Sequence, residues 1–366
     1  MRNTGRRSER FSTKTGWFRR ASASVSCVAL AGVLTLGTSC VVLRSGPGEG
    51  ASEPAPTANA PESTGEFRIY VARSGTAGGT IDLSGLPVSD DAVMLYEHQF
   101  GLYPRIWKGK VEHGGTPVGL DLVAHTRKLR QDIQKHIPDP HFDGLACLNY
   151  ETRALLWKNL GEEYRALVRG RIRSVRPEID ADELERLSQE AYDTATRRYM
   201  KTTLALCRQL RPKARWGMYF FPGGTYKLED YEWLVDSFDV LMPSMYPYKF
   251  SVRGRPQNQH QAPLDVFEDA LVAKLRLSHE FSRGEKPIYL FVRTRYHPNN
   301  PLYSDQTIND DDAKAIIFRP EEEGIDGLIF WLHASDNATA QLIERNLRRL
   351  EPLMREAIRR RGARVE

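Results

Sequence analysis

The chain predicts an α/β fold, a distorted (β/α) barrel of seven strands, on three observations. Short apolar runs rich in β-branched and aromatic residues recur along it. They lack strict apolar–polar alternation, as expected of parallel strands buried on both faces. Amphipathic helical stretches separate them, and alternating strand and helix is the signature of a parallel α/β layer or barrel.

Seven runs carry the strands: "FRIYVAR" from Phe67, "AVMLYEHQF" from Ala92, "GLACLNYE" from Gly144, "RWGMYFFP" from Arg215, "FDVLMPSMYP" from Phe238, "PIYLFVRTRY" from Pro287 and "DGLIFWLHAS" from Asp326. Between them, "LDLVAHTRKLRQDIQKHI" sets Leu122, Leu129 and Ile133 on one helical face. "DADELERLSQEAYDTATRRYMKTTLALCRQL" opens on helix-starting acids and runs long, while "DDDAKAIIF" and "NATAQLIERNLRRLEPLMREAIRR" supply later helices. "NDDD" at 309–312 reads as an N-cap and first turn, where acids meet the helix dipole. No repeat of 20–50 residues is visible.

The barrel is expected over residues 67–362, behind a leader at 1–40 and a tether at 41–66. The leader joins a basic stretch to the small-sided apolar segment "ASASVSCVALAGVLTLGTSC", the two parts of an export signal. Arg6-Arg7 resembles a twin-arginine leader, and "LGTSC" resembles a bacterial lipoprotein processing site that would attach a lipid to Cys40; plain secretion is the alternative. The tether is dominated by Pro, Ala, Gly and Ser and has no apolar period from which to build a core.

Of the 366 residues 40% are hydrophobic and 10% aromatic, enough for one large core. The formal charge is +5, but residues 1–20 hold seven Arg/Lys and one acid, which leaves the remainder near −1. Charge therefore does not argue for nucleic acid. Of four cysteines only Cys147 and Cys207 fall in the domain, and two buried thiols are expected. A monomer is expected.

Several strands end in polar or aromatic clusters: Tyr96-Glu97-His98, Asn149-Tyr150-Glu151, Tyr219 with Phe221-Pro222, Ser244-Met245-Tyr246, and Trp331 with His333. In a barrel these ends converge on one mouth, where active sites lie. Asn149 and Glu151 share a side because strand side chains repeat every two residues. A carboxyl at an apolar, aromatic rim has its charged form disfavoured and suits a general acid. The competing reading makes Glu151 a cap for a helix in "TRALLWKNL" or an ion-pair partner of Arg153. Tyr96, Tyr150, Tyr219, Tyr246 and Trp331 could stack on sugar faces and hydrogen-bond their substituents, or simply close the barrel top.

No HExxH or Cys/His metal spacing, GxSxG elbow or Walker A loop occurs, so neither metal nor cofactor is expected.

The series "LYEHQFGLYP", "HGGTPVGLDLVAHTRKLRQDIQKHIPDPHFDGLACLNYETRALLWKNL", "TTLALCRQLRPKARWGMYFFP", "VLMPSMYP" and "GIDGLIFW" resembles glycoside hydrolase family 56, the animal and venom hyaluronidases. The resemblance runs in order from about Ala92 to Trp331. It implies a seven-stranded distorted barrel and an endo-acting glycosidase whose substrate is a polysaccharide of hyaluronan or chondroitin type. It makes Glu151 the proton donor and Tyr150 the aromatic of its motif, and puts substrate contacts on Tyr96, Tyr219, Tyr246 and Trp331. Tyr219 and Tyr246 are expected to hold the acetamide in catalysis with Glu151 and Asn149, and Tyr150 to join Tyr96 and Trp331 in substrate binding. Hydrolysis would be retaining and substrate-assisted, the acetamido carbonyl acting as nucleophile.

Two departures stand out. Asn149 replaces the first Asp of the family's Asp-aromatic-Glu motif, and "GGTY" replaces its Cys-Tyr-Asn, so the usual disulfides are missing. Asn149 either orients the acetamido group as an amide or marks a weakened, carbohydrate-binding relative. A chitinase-type acetamido-sugar hydrolase is a third reading.

Overall fold

Short segments centred on apolar residues, too short for helices, form the main sheet of the computed structural model, which describes residues 65–151, 154–246, 263–298 and 304–365. The leader, with Cys27 and Cys40, nearly all of the tether, and Arg153 lie outside the described residues. Strands β1 (Arg68–Ser74) and β2 (Ser89–Leu95) precede a small hairpin of β3 (Arg105–Trp107) and β4 (Lys110–Glu112). Then come β5 (Leu145–Leu148), β6 (Arg215–Met218), β7 (Tyr289–Val292) and β8 (Gly327–His333). All but the hairpin join one parallel sheet in the order β6-β5-β2-β1-β8-β7.

The seventh expected strand, "FDVLMPSMYP", is not regular, yet it occupies the gap between the sheet edges β6 and β7. Asp239 N donates to Trp216 O at 2.8 Å on one side; Leu241 N to Pro287 O at 2.9 Å and Met245 N to Phe291 O at 2.9 Å bind the other. Parallel bridges pair Tyr219 with Met242, Leu241 with Ile288 and Ser244 with Phe291. Pro243 has no amide hydrogen for a ladder, which accounts for the interruption. The result is a distorted barrel with six regular strands and one irregular wall.

Helices pack outside. Among the described residues they are α1 (Leu122–His136), α2 (Glu162–Val175), α3 (Ala181–Leu210), α4 (Leu228–Val235), α5 (Pro263–Ser282), α6 (Asp310–Glu322) and α7 (Asn337–Val365). Asp121, Asp180 and Asn309 cap α1, α3 and α6, each side chain accepting from the backbone N–H three residues on. Such caps contribute about 1 kcal/mol each. The hairpin, α2, α4 and α5 are additions to the expected pattern.

Period-two alternation divides the core. Tyr70, Ala72, Met94, Leu145, Cys147, Met242, Tyr289, Phe291 and Ile329 fill the barrel interior. Their sequence neighbours Ile69, Val71, Leu95, Ala146, Leu148, Leu290, Leu328 and Phe330 face the helices. Cys147 and Cys207 are both free and buried, Cys147 in the interior layer and Cys207 in the outer one. At the amino-terminal end Arg215 closes the interior, donating to Tyr70 Oη at 2.7 Å and Tyr289 Oη at 2.9 Å with its guanidinium over both rings.

Candidate active site

The interior parity continues past the strand ends and selects what faces the mouth. Above Met94, Cys147, Met242, Phe291 and Ile329 the next residues of the same parity include Tyr96, Asn149, Glu151, Tyr246, Arg293 and Trp331. Tyr96, Tyr219, Tyr246 and Trp331 rest on the interior layer.

These residues surround two adjoining hollows. One, about 470 Å³, is lined by Met94, Tyr96, Asn149, Arg293, Trp331 and their neighbours. The other, about 980 Å³, lies between Leu155, Phe220, Tyr226 and α5. Glu151, Tyr219, Tyr246 and His297 line both, so Glu151 stands where the two meet. Volumes of this order suit oligosaccharide-sized ligands.

Aromatic packing sets the walls. Trp331 Nε1 donates to Tyr96 Oη at 3.0 Å, and its ring stacks on Tyr246 with centroids 6.3 Å apart and on His333 at 5.3 Å. Tyr246 neighbours Tyr219 at 6.4 Å, and Tyr219 meets Phe291 edge-on at 5.1 Å. Burial pushes the Tyr219 hydroxyl up to about 12 and that of Tyr246 well above its ordinary range. Both hydroxyls therefore remain neutral donors at any physiological pH.

Glu151 has solvent on one side and packed protein on the other. Burial raises its carboxyl above the usual range, Asn149 hydrogen-bonding to it opposes the rise, and the Glu97 charge adds to it. Glu97 is itself tied to Arg105 of the hairpin at 3.5 Å. Among the described residues that follow Glu151, a 3-10 turn spans Trp157–Asn159 with Leu156 at its N-cap, and α2 has Gly161 at its own. Asn149 is 8% exposed; its Nδ2 lies 3.9 Å from Met94 Sδ, and its Oδ1 has no hydrogen-bond partner among the described residues. A buried acceptor left unsatisfied costs about 1–3 kcal/mol unless a ligand supplies the donor.

Tyr150 has the opposite parity. It packs on the helix side against Tyr103 and Tyr199, with centroids 5.1 and 6.2 Å away, and reaches only the larger hollow. The structure thus gathers Tyr96, Asn149, Glu151, Tyr219, Tyr246 and Trp331 at one mouth and sets Tyr150 behind them.

Four residues at the mouth carry no sequence assignment: Arg293, Arg295, His297 and Phe220. The first three follow β7 in "FVRTRYH", where alternate positions share the interior side. That alternation was the available signal. Phe220 lines the larger hollow, 45% exposed, with φ 64°. Among the described residues no group of His, Cys, Asp and Glu could hold a metal ion.

The hyaluronidase model of glycoside hydrolase family 56 matches residues 86–356. Human hyaluronidase-1 is 32% identical over 279 residues, 69% of this chain and 60% of that protein. Hyaluronidase-1 of Cerastes cerastes is 33% identical over 275 residues, 68% of this chain and 58% of that protein. The chain therefore spans about 60% of the length of such relatives. Among solved structures, bee venom hyaluronidase in complex with a hyaluronic acid tetramer superposes with a TM-score of 0.66 at 19% identity, covering 79% of this chain and 98% of that one.

Proposed function

Because the chain belongs to the hyaluronidase family, glycoside hydrolase family 56, we propose that its barrel mouth hydrolyses N-acetylhexosaminidic linkages within a glycosaminoglycan. The observation that carries this reading is the position of Glu151 between two hollows, beside the unsatisfied Asn149 Oδ1. A polysaccharide lying across both hollows presents an internal glycosidic oxygen to Glu151, which makes cleavage endo-acting.

In the proposed reaction Asn149 Oδ1 accepts the acetamido N–H of the sugar in the smaller hollow. The acetamido oxygen attacks the anomeric carbon while Glu151 passes its proton to the leaving oxygen. The resulting oxazoline-type intermediate opens when water adds to the anomeric carbon, Glu151 now taking the water's proton. The anomeric configuration is retained and no protein nucleophile is needed. Tyr219 and Tyr246 hold the acetamide as neutral donors, and Tyr96 and Trp331 shape the sugar site. The raised Glu151 carboxyl supports the acid role.

Asn149 also favours a second reading. An amide stabilises a developing positive charge less than a carboxylate does, so a carbohydrate-binding relative with little turnover follows from the same site. Incubation of the full chain with hyaluronan, chondroitin and chitin oligosaccharides, scored by new reducing ends, separates the readings. Cleavage of hyaluronan or chondroitin that is lost in Glu151→Gln is expected; binding without cleavage would establish the second reading, and preferential cleavage of chitin oligosaccharides the chitinase-type one. The leader composition supports export, with Cys40 lipidation or plain secretion as the route; no helix among the described residues is long and apolar enough to cross a membrane.

A further inference from the structure

Arg293 is 9% exposed and lines the smaller hollow with Asn149 and Trp331. Its guanidinium lies 5.1 Å from the Trp331 ring centroid and 5.7 Å from that of Tyr246, two of the aromatic rings that line the hollow. Its ion pair with Asp305 is long, 3.5 Å, and Asp305 is shared with Arg295 at 3.7 Å. Arg295 also donates to the Asp305 carbonyl at 2.7 Å. Arg293 itself donates no hydrogen bond among the described residues, although a guanidinium carries five N–H donors.

A largely buried guanidinium whose unspent donors open into a hollow is matched best by a planar two-oxygen anion. The local balance also favours an anion: Arg293 and Arg295 share one aspartate, and burial pushes the nearby Glu151 carboxyl toward its neutral form. Burial likewise pushes the Arg293 guanidinium down, as expected for a cation short of compensation.

We propose that Arg293, seconded by Arg295, binds the carboxylate of a uronic acid adjoining the hexosamine in the smaller hollow, and so selects uronate-bearing polymers over neutral N-acetylhexosamine polymers. This rests on the reading of the hollow as a sugar site, but not on turnover. Asn149, Tyr96 and Trp331 would take the hexosamine and the arginine its neighbour.

The test uses the full chain carrying Glu151→Gln, so that ligand survives, and compares hyaluronan oligosaccharides with the same oligosaccharides after reduction of their carboxylates to alcohols. The expected result is tighter binding of the carboxylate form by about tenfold or more, the scale of one charge-assisted contact. Adding Arg293→Gln should abolish that preference, and Arg293→Lys should restore part of it. Equal binding of the two ligands, or no binding of either, overturns the proposal without requiring any arginine variant to fold. Retained preference in a folded Arg293→Gln overturns the assignment to Arg293. Strong selective binding by a wild-type chain that cleaves neither ligand would support this inference while refuting the hydrolase reading. Sulfated chondroitin bound more tightly than its desulfated form, with no effect of carboxyl reduction, would assign the arginine to sulfate and overturn the uronate claim.

Discussion

Trp331 Nε1 donates to the Tyr96 hydroxyl at 3.0 Å, tying the end of β8 to the end of β2 across the barrel mouth. The two residues are 235 positions apart. Tyr96→Phe removes the acceptor and keeps the ring. It should cost about 1 kcal/mol of stability, the net worth of one such bond, and raise KM more than it lowers kcat. A double-mutant cycle with Trp331→Phe in urea unfolding checks the coupling; strictly additive losses would show that the bond contributes nothing.

Burial raises the Glu151 carboxyl, so its pH dependence has a defined sign. In the proposed reaction the acid form donates the proton, so kcat/KM should fall as pH rises through the raised value. Stability follows the same group. The folded state holds a proton that the unfolded state has already released between the ordinary and the raised carboxylate pKa, so this residue weakens the fold as pH rises through that window. Glu151→Gln should therefore be inactive yet more stable at neutral pH, with the gain vanishing below the ordinary carboxylate range. Thermal unfolding as a function of pH measures it; an equal gain at every pH would contradict the linkage.

Asn149→Asp replaces a hydrogen-bond donor to Glu151 with a second carboxylate. Both changes raise the Glu151 carboxyl further, so the alkaline limb of kcat/KM should move to higher pH. A limb that stays in place or moves down would mean that the two side chains do not interact. Activity on hyaluronan should rise if the amide weakens the reaction, and fall if the site is specialised around it.

At the opposite end, Arg215 bonds the hydroxyls of Tyr70 and Tyr289 and stacks on both rings. Arg215→Met should destabilise the barrel by about 2–4 kcal/mol through two lost charge-assisted bonds and the cation–π contacts. The mouth lies several interior layers away, so kcat/KM of the folded variant should stay within about twofold of the parent, since distant sites act independently. Denaturant titration alongside initial rates separates the two effects.

Physical reasons divide what was legible from what was not. Strands such as 68–74 and 327–333 announced themselves because both faces are buried, which leaves long apolar runs. The wall at 238–245 read as an ordinary strand because its apolar residues dominate the run, although Pro243, which cannot donate to a ladder, stands within it. Helix α2 buries only Val168 along its length and carries Gly170 within it, so its pattern is faint. Alternation placed Asn149 and Glu151 on one side of the chain while the resemblance supplied their expected roles, and the same alternation puts Tyr150 on the helix side. Arg293 stayed hidden because its surroundings come from three separated segments, Tyr246, Asp305 and Trp331, which no local spacing connects.

The irregular wall has one more consequence. The segment 238–245 bears Ser244 and leads into Tyr246, yet scattered bridges replace the continuous ladder of the other strands. Local opening costs least where the fewest main-chain bonds must break together. Amide exchange along this flank should therefore be faster than in the regular strands, and under the proposed function a polymer with no nearby end would be laid into the trough from that side instead of being threaded.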